Sequence, residues 1–347
     1  MTLHNTQNFG NQQTVPNDSN HSWHLPPPYG AKTVLVIIVA AALLLISGKK
    51  TEMDKMFLWL GEAAGNVVGL NDSSQVIDGG KKVVNSMLPI QIFEVTEISR
   101  IENFDPDDLP MFSRIDNEEV TKTVVDPTTL ELSTTTTTRS VVYSPVGYLL
   151  HVSKKMLETI EIAIWATLFS IILSIPLAYY SSANYTPNKV AYTLARGVVS
   201  LLRAIPELIS AMFLVLAFGF GPIAGILALA FHSAGFLGKF YAEDIENANK
   251  GPQEALRAIG ASKAKILRYS VLPQVLPQYV AYNMYILDRN VRMATVIGIV
   301  GAGGIGQELK GRYDMFEYGH VATILVMIFL TVFTLDQIAG KIRSKLI

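Results

Sequence analysis

Long apolar runs separated by short basic loops are the feature that most constrains this chain. The hydrocarbon core of a bilayer takes about 20 apolar residues per helix. Six stretches meet or approach that length: 33–47, 157–180, 198–218, 223–240, 276–300 and 321–339. Half of the 347 residues are hydrophobic and 16% are charged, against about 25% charged in soluble domains. The pattern predicts an all-α polytopic membrane protein. Pro176 and Pro206 fall inside spans, where neighbouring helices can satisfy the backbone groups that proline frees. Gly219–Phe220–Gly221–Pro222 reads as a tight turn between the third and fourth spans. A net charge of −1 leaves no nucleic-acid footprint. The absence of cysteine excludes disulfides, thiolate metal sites and Cys nucleophiles.

Basic residues orient the spans. Lys189, Arg196 and Arg203 flank one loop, Lys250, Arg257, Lys263, Lys265 and Arg268 crowd another, and Lys341, Arg343 and Lys345 form the tail. All three segments are expected on the cytoplasmic side, with both termini inside. Lys49, Lys50 and Lys55 argue the opposite orientation for the first span, and the three later segments outweigh them. Residues 1–30, rich in Asn and Gln and carrying Pro26, Pro27 and Pro28, read as a disordered tail rather than a signal peptide. The first span follows at 31–48. Residues 49–150 then form an acidic extracytoplasmic insert, and 151–347 the membrane core. Alternation at 119–125 and 130–143, with Asp126–Pro127 as a turn, predicts a small β-rich subdomain.

The loop between the fourth and fifth spans is the most informative. Pro252 suits a first helical position and Gly260 a helix stop. Ser262 is placed to cap a second short helix ending near Pro273. A cytoplasmic helix–turn–helix is expected, with small residues at Ala255 and Ala258 that let a partner approach closely. Glu254, Ala255, Gly260, Leu272 and Pro273 match, in identity and spacing, the E-A-A-x3-G-x9-I-x-L-P pattern of ABC importer permeases, while Leu256 and Ser270 depart from it. The chain resembles that family. Arg203–Ala204–Ile205–Pro206–Glu207, Gly219 to Pro222, Asn290 to Thr295 and Val300 to Gly306 make it similar to phosphonate-type permeases over 158–347, with methionine permeases as related members.

The resemblance implies a type I importer domain of five core helices plus one N-terminal helix, in a bacterial inner membrane. It further implies a second permease copy and two ATPase subunits, which carry ATP and Mg and meet Glu254, Ala255, Leu256, Gly260, Ala261, Leu272 and Pro273. An extracytoplasmic binding protein would deliver a small phosphorus oxyanion. No cofactor is expected on this chain. No G-x-x-x-x-G-K-[ST] occurs in it, so ATP hydrolysis belongs to a separate subunit.

Ionisable residues inside a span are functional candidates. Asp288, Arg289 and Arg292 lie roughly 17–23 Å beyond Pro277 along a helix of 1.5 Å rise. Asp288 and Arg292 are i,i+4 and are expected to pair, leaving Arg289 free to meet an anion. Asn290 belongs to the same cluster. Arg203 and Glu207 read as a second i,i+4 pair, and His232 as a neutral histidine packed between helices. Gly301, Gly303, Gly304 and Gly306 fit G-x-G-x-x-G, but no strand precedes them, so a tight outer loop is the better reading. Two rivals from other classes lack support. An ion-coupled secondary transporter would show internal repeats and broken helices, and a membrane enzyme would need a catalytic constellation.

Overall fold

The computed structural model describes residues 30–69, 74–101, 104–106, 109–110, 112–125 and 132–346. It divides into two compact units, one ending at Lys81 and one running from Lys82. The predicted tail, up to residue 29, and the Asp126–Pro127 turn lie outside the described residues. In the first unit α1 (Ala31–Lys50) is apolar on all sides and exposed along its length. It is followed by α2 (Met53–Val67) and by α3 (Gln75–Met87), which crosses the unit boundary. Neither α2 nor α3 was expected within 49–150, where acidity dominated the sequence pattern.

The second unit opens with a three-stranded antiparallel sheet, in the order β1–β3–β2. Its strands are β1 (Glu94–Glu97), β2 (Arg114–Val125) and β3 (Leu132–Ser144). β2 and β3 pair without interruption from Arg114↔Tyr143 to Val125↔Leu132. β1 is only four residues long, too short for alternation to reveal it. The sheet's leading segment is tied to helices by backbone groups: Gln91 N donates to Gly319 O at 3.2 Å, and Leu149 N to Ile92 O at 3.2 Å.

The helical part runs α4 (Gly147–Ser181), α5 (Lys189–Ala204), α6 (Glu207–Phe218), α7 (Pro222–Asn247), α8 (Lys250–Ala258), α9 (Lys263–Ile266), α10 (Leu272–Gly298), α11 (Ile305–Asp314) and α12 (Tyr318–Leu346). A wide-turn π segment, Leu267–Val271, joins α9 to α10. α7 is central and packs against α4, α5, α6 and α10. Its buried face carries Ala228, Ala234, Gly235, Gly238 and Ala242, small residues that let helices approach closely in lipid. A Cβ on Gly235 would stand 2.9 Å from both Arg203 Cγ and Leu202 Cβ, so the contact between α5 and α7 depends on its absence.

The predicted span 198–218 is not one helix. It breaks between Ala204 and Glu207, and α5 and α6 meet at 90°. Pro206 lacks an N–H and forces its predecessor out of the helical region, and Ile205 indeed sits at φ −83°, ψ 121°. Pro176, by contrast, is absorbed within α4. Among the described residues, four helices are long and apolar enough to cross a membrane, or five if the bent pair counts as one span. α10 is not among them. At 27 residues it is long enough, but it carries Asp288, Arg289, Asn290 and Arg292.

Asn290 shows how the bundle accommodates that polarity. It is 1% exposed. Ser233 Oγ on α7 donates to its Oδ1 at 2.9 Å, and its Nδ2 donates to Thr167 Oγ1 on α4 at 2.9 Å. It therefore bridges three helices, with its polar atoms engaged between them. Asn290→Ala should lower the unfolding free energy of the solubilised protein by about 1–2 kcal/mol, as the loss of interhelical hydrogen bonds predicts. Denaturant titration in detergent, with Ser233→Ala as a second variant sharing the same bond, measures it.

Candidate functional site

The loop between α7 and α10 is pinned at its start. Asn249 caps α8, its Oδ1 accepting from Gly251 N at 2.9 Å, while its own N–H donates to Gln274 Oε1 at 3.0 Å. Pro252 is thus the third residue of α8 rather than the first, a position where its missing N–H is still harmless. Gln253 is buried beneath the helix. Its Nε2 donates to Ala248 O and Asn249 O, and it accepts from Tyr185 Oη at 3.1 Å. Asn249, Gln253 and Tyr185 were missed in the sequence, because their spacing makes no motif.

The α8 stop is formed by Gly260 at φ +79°, a left-handed value that glycine adopts without strain. Gly260 N donates to Arg257 O and Ala261 N to Leu256 O, each at 3.0 Å. Ser262 stands at the N-cap of α9 without a side-chain bond, so the expected hydroxyl cap is not made. The second helix also does not end near Pro273. It continues through the π segment into α10, whose first residues include Pro273. The wider turn precedes the proline, where a regular helix would lose a hydrogen bond. Glu254, Ala255, Gly260, Leu272 and Pro273 are exposed, and Leu256 and Ala261 half-buried. A polar cavity of about 330 Å³ opens between Tyr185, Gln253, Glu254, Arg257, Lys263 and Ile266.

The charged residues assemble differently from the sequence expectation. Arg289 is not free: its guanidinium is paired with Glu207 at the start of α6. Glu207 Oε1 is also 3.1 Å from His232 Nε2, and His232 Nδ1 lies 3.1 Å from Ile205 O. His232 is therefore bound to a carboxylate and is not a lone packed ring. The expected Arg203–Glu207 pair does not form. The break at Pro206 removes the continuous helix that an i,i+4 pair needs. Arg203 instead lies over Phe236, its Cζ 4.8 Å from the ring centroid, and its Nε is buried without a hydrogen-bond partner. Arg289 Cζ lies 4.9 Å from the centroid of the same ring.

The third charged pair forms as expected, Arg292 donating to Asp288 Oδ2 at 2.7 Å. Asp288 is buried, and the side chain of Arg292 is 47% exposed. A guanidinium so exposed within a span is costly against lipid; it belongs beside water or another protein surface.

At the sheet end of the bundle, Gly301 to Gly306 are all buried. Gly301, Gly303 and Gly304 have φ of +93°, +85° and +72°. Gly304 N donates to Glu158 Oε1 at 3.1 Å and Ile305 N to Thr159 Oγ1 at 2.8 Å, so α4 caps α11. A Cβ on Gly306 would overlap the Thr295 carbonyl oxygen. The glycines serve a tight crossing between helices. Next to them Glu308 accepts from Arg312 at 2.8 Å and meets His151 at 3.3 Å. Burial pushes Glu308 up, but Arg312 and His151 outweigh it and hold the carboxyl below its ordinary value.

Comparison with known proteins supplies the context for this geometry. A putative phosphite transport system permease protein, HtxE of Stutzerimonas stutzeri, is 58% identical over 261 residues, covering 75% of this chain and 100% of that protein. That alignment is longer than 158–347, so the likeness takes in part of the preceding segment, which the sequence motifs had left outside it. The phosphate-import permease protein PhnE of Mycolicibacterium smegmatis is 40% identical over 190 residues, covering 55% of this chain and 36% of that one. Among solved structures, an inward-facing form of the MetNI methionine ABC transporter superposes with a TM-score of 0.50 at 23% identity, covering 56% of this chain and 96% of the other, and so shares the fold. Residues 162–346 match the family described as binding-protein-dependent transport system inner membrane component, and the chain belongs to that family.

Proposed function

We propose that this chain is the permease subunit of an ABC importer for a small phosphorus oxyanion such as phosphite or a phosphonate. The observation that carries the reading is the 58% identity to a phosphite-system permease across that protein's whole length. A methionine import permease, MetP of Bacillus subtilis, stands at 25% over 179 residues, which favours the phosphorus oxyanion over the amino acid. Two copies of the chain line one pathway, and two ATPase subunits supply ATP hydrolysis. The surface of α8 and the turn that stops it, from Glu254 to Gly260, receives the ATPase on the cytoplasmic side. The sheet then faces outward, where a binding protein delivers the anion. Uptake of phosphite, methylphosphonate, phosphate and methionine by cells expressing the complete transporter tests the substrate. Methionine uptake without phosphite uptake overturns it.

The coupling role has its own test. A Cβ at Gly260 meets no neighbouring atom within 4 Å, so the cost of Gly260→Val is confined to the backbone, about 1–2 kcal/mol at positive φ. The membrane bundle should assemble normally while ATP hydrolysis and uptake come apart, or the ATPase fails to bind. Glu254→Lys, at an exposed position, should give the same result. Normal transport rates in both variants remove the loop from the ATPase contact.

The outward placement of the sheet is checked by proteolysis. β2 and β3 are paired along their full length, and paired strands resist cleavage. Protease added to the periplasmic side should spare 114–125 and 132–144, and cleavage of this region from the cytoplasmic side alone inverts the topology.

A further inference from the structure

Arg289 is held in an ion pair with Glu207. Replacing a buried ion pair with apolar side chains of similar volume is often neutral or stabilising, so such a pair is weak as a packing device. The surroundings are unusual in three ways. Two guanidiniums, Arg203 and Arg289, crowd the Phe236 ring at 4.8 and 4.9 Å. Arg203 keeps a buried Nε without a hydrogen-bond partner, a donor position with nothing to donate to. Glu207 has a second partner in His232, so it need not be left unpaired if Arg289 turns away. The side chain of Arg289 is 21% exposed and that of Glu207 14%, so neither is sealed inside a single copy of the chain.

A guanidinium presents one planar fork to a carboxylate or to a phosphorus oxyanion, and the two compete for it. We propose that Glu207 is a built-in competitor for the transported anion. It occupies Arg289 while the pathway is empty, and the phosphorus oxyanion displaces it, taking the Arg289 fork with Arg203 alongside. Glu207 then remains with His232. Return of the carboxylate to Arg289 expels the anion toward the other side. This arrangement meets the requirement that a conducting site bind well enough to admit its ion and weakly enough to release it. The 90° break between α5 and α6 places Glu207 on a short helix of its own, opposite α10. The proposal deepens the substrate reading above and rests on it.

The test uses the complete transporter, with its ATPases and binding protein, reconstituted in proteoliposomes. Wild type, Glu207→Gln, Arg289→Gln and the double variant Glu207→Gln/Arg289→Gln are compared for assembled protein, phosphite uptake and direct phosphite binding without the binding protein. Glu207→Gln should bind phosphite about tenfold more tightly, the scale of one close charge pair, and should transport it more slowly. Arg289→Gln should lose both binding and uptake. The double variant removes both charges together. It should assemble like wild type and still fail to transport, an outcome that a purely structural pair does not produce. Unchanged phosphite affinity in Glu207→Gln, or normal uptake by the double variant, overturns the competitor role while leaving the substrate reading intact. Absence of phosphite uptake by the wild-type transporter overturns both.

Discussion

The bundle is organised around a helix that cannot face lipid. α10 carries Asp288, Arg289, Asn290 and Arg292 in succession, and each bare polar group in hydrocarbon costs several kcal/mol. Their partners come from four directions. Glu207 on α6 takes Arg289, Ser233 on α7 and Thr167 on α4 take Asn290, and Asp288 takes Arg292 within the helix itself. The small residues along α7 follow from this demand. Ser233 and His232 on α7 reach Asn290 on α10 and Glu207 on α6, while Gly235 and Gly238 let α5 and α4 close in on the same helix.

That dependence explains which parts were legible in the amino-acid sequence. The long apolar runs need only length and composition, and five of the six predicted segments are continuous helices at the expected places. The Gly260 stop was legible because a positive φ has one cheap residue. Asp288–Arg292 was legible because both partners lie on one unbroken helix. The Glu207–Arg289 pair was not. It joins positions 82 residues apart, and reading Arg203 against Glu207 assumed a helix that Pro206 interrupts. Proline in a span has two outcomes, absorption as at Pro176 or a break as at Pro206, and local sequence does not separate them. Tertiary packing decides.

The region before α4 was read by its acidity, and that signal hides structure. The long β2–β3 strand pair alternates and was visible, whereas α2, α3 and the short β1 were not. β1 exists because β3 offers it an edge: Glu94 to Glu97 pair with Ser144 back to Val141. No local propensity of four residues specifies such a partner. The same holds for Gln253 and Tyr185, a side-chain bond across 68 residues that fixes the base of α8 without leaving a motif.

The proposed coupling surface and the charge cluster share one continuous element. α9 passes through the π segment into α10 without a loop, and Arg289 lies about 25 Å along that helix from Leu272 at 1.5 Å per residue. Helices transmit rigid-body displacement with little loss, because interiors are close-packed and do not deform continuously. A shift imposed at α8 and α9 therefore reaches Arg289 as motion of α10. Glu207 does not share that motion directly: it stands on α6, separated from α5 by a right-angle break and from α7 by the Gly219 and Gly221 turn. The Glu207–Arg289 contact thus joins two helices, α6 and α10, that both also pack against α7. An ion pair between two helices changes in strength with small displacements of either. Under the proposed function, the device that couples ATP hydrolysis to α10 also adjusts how strongly Glu207 competes for the Arg289 fork.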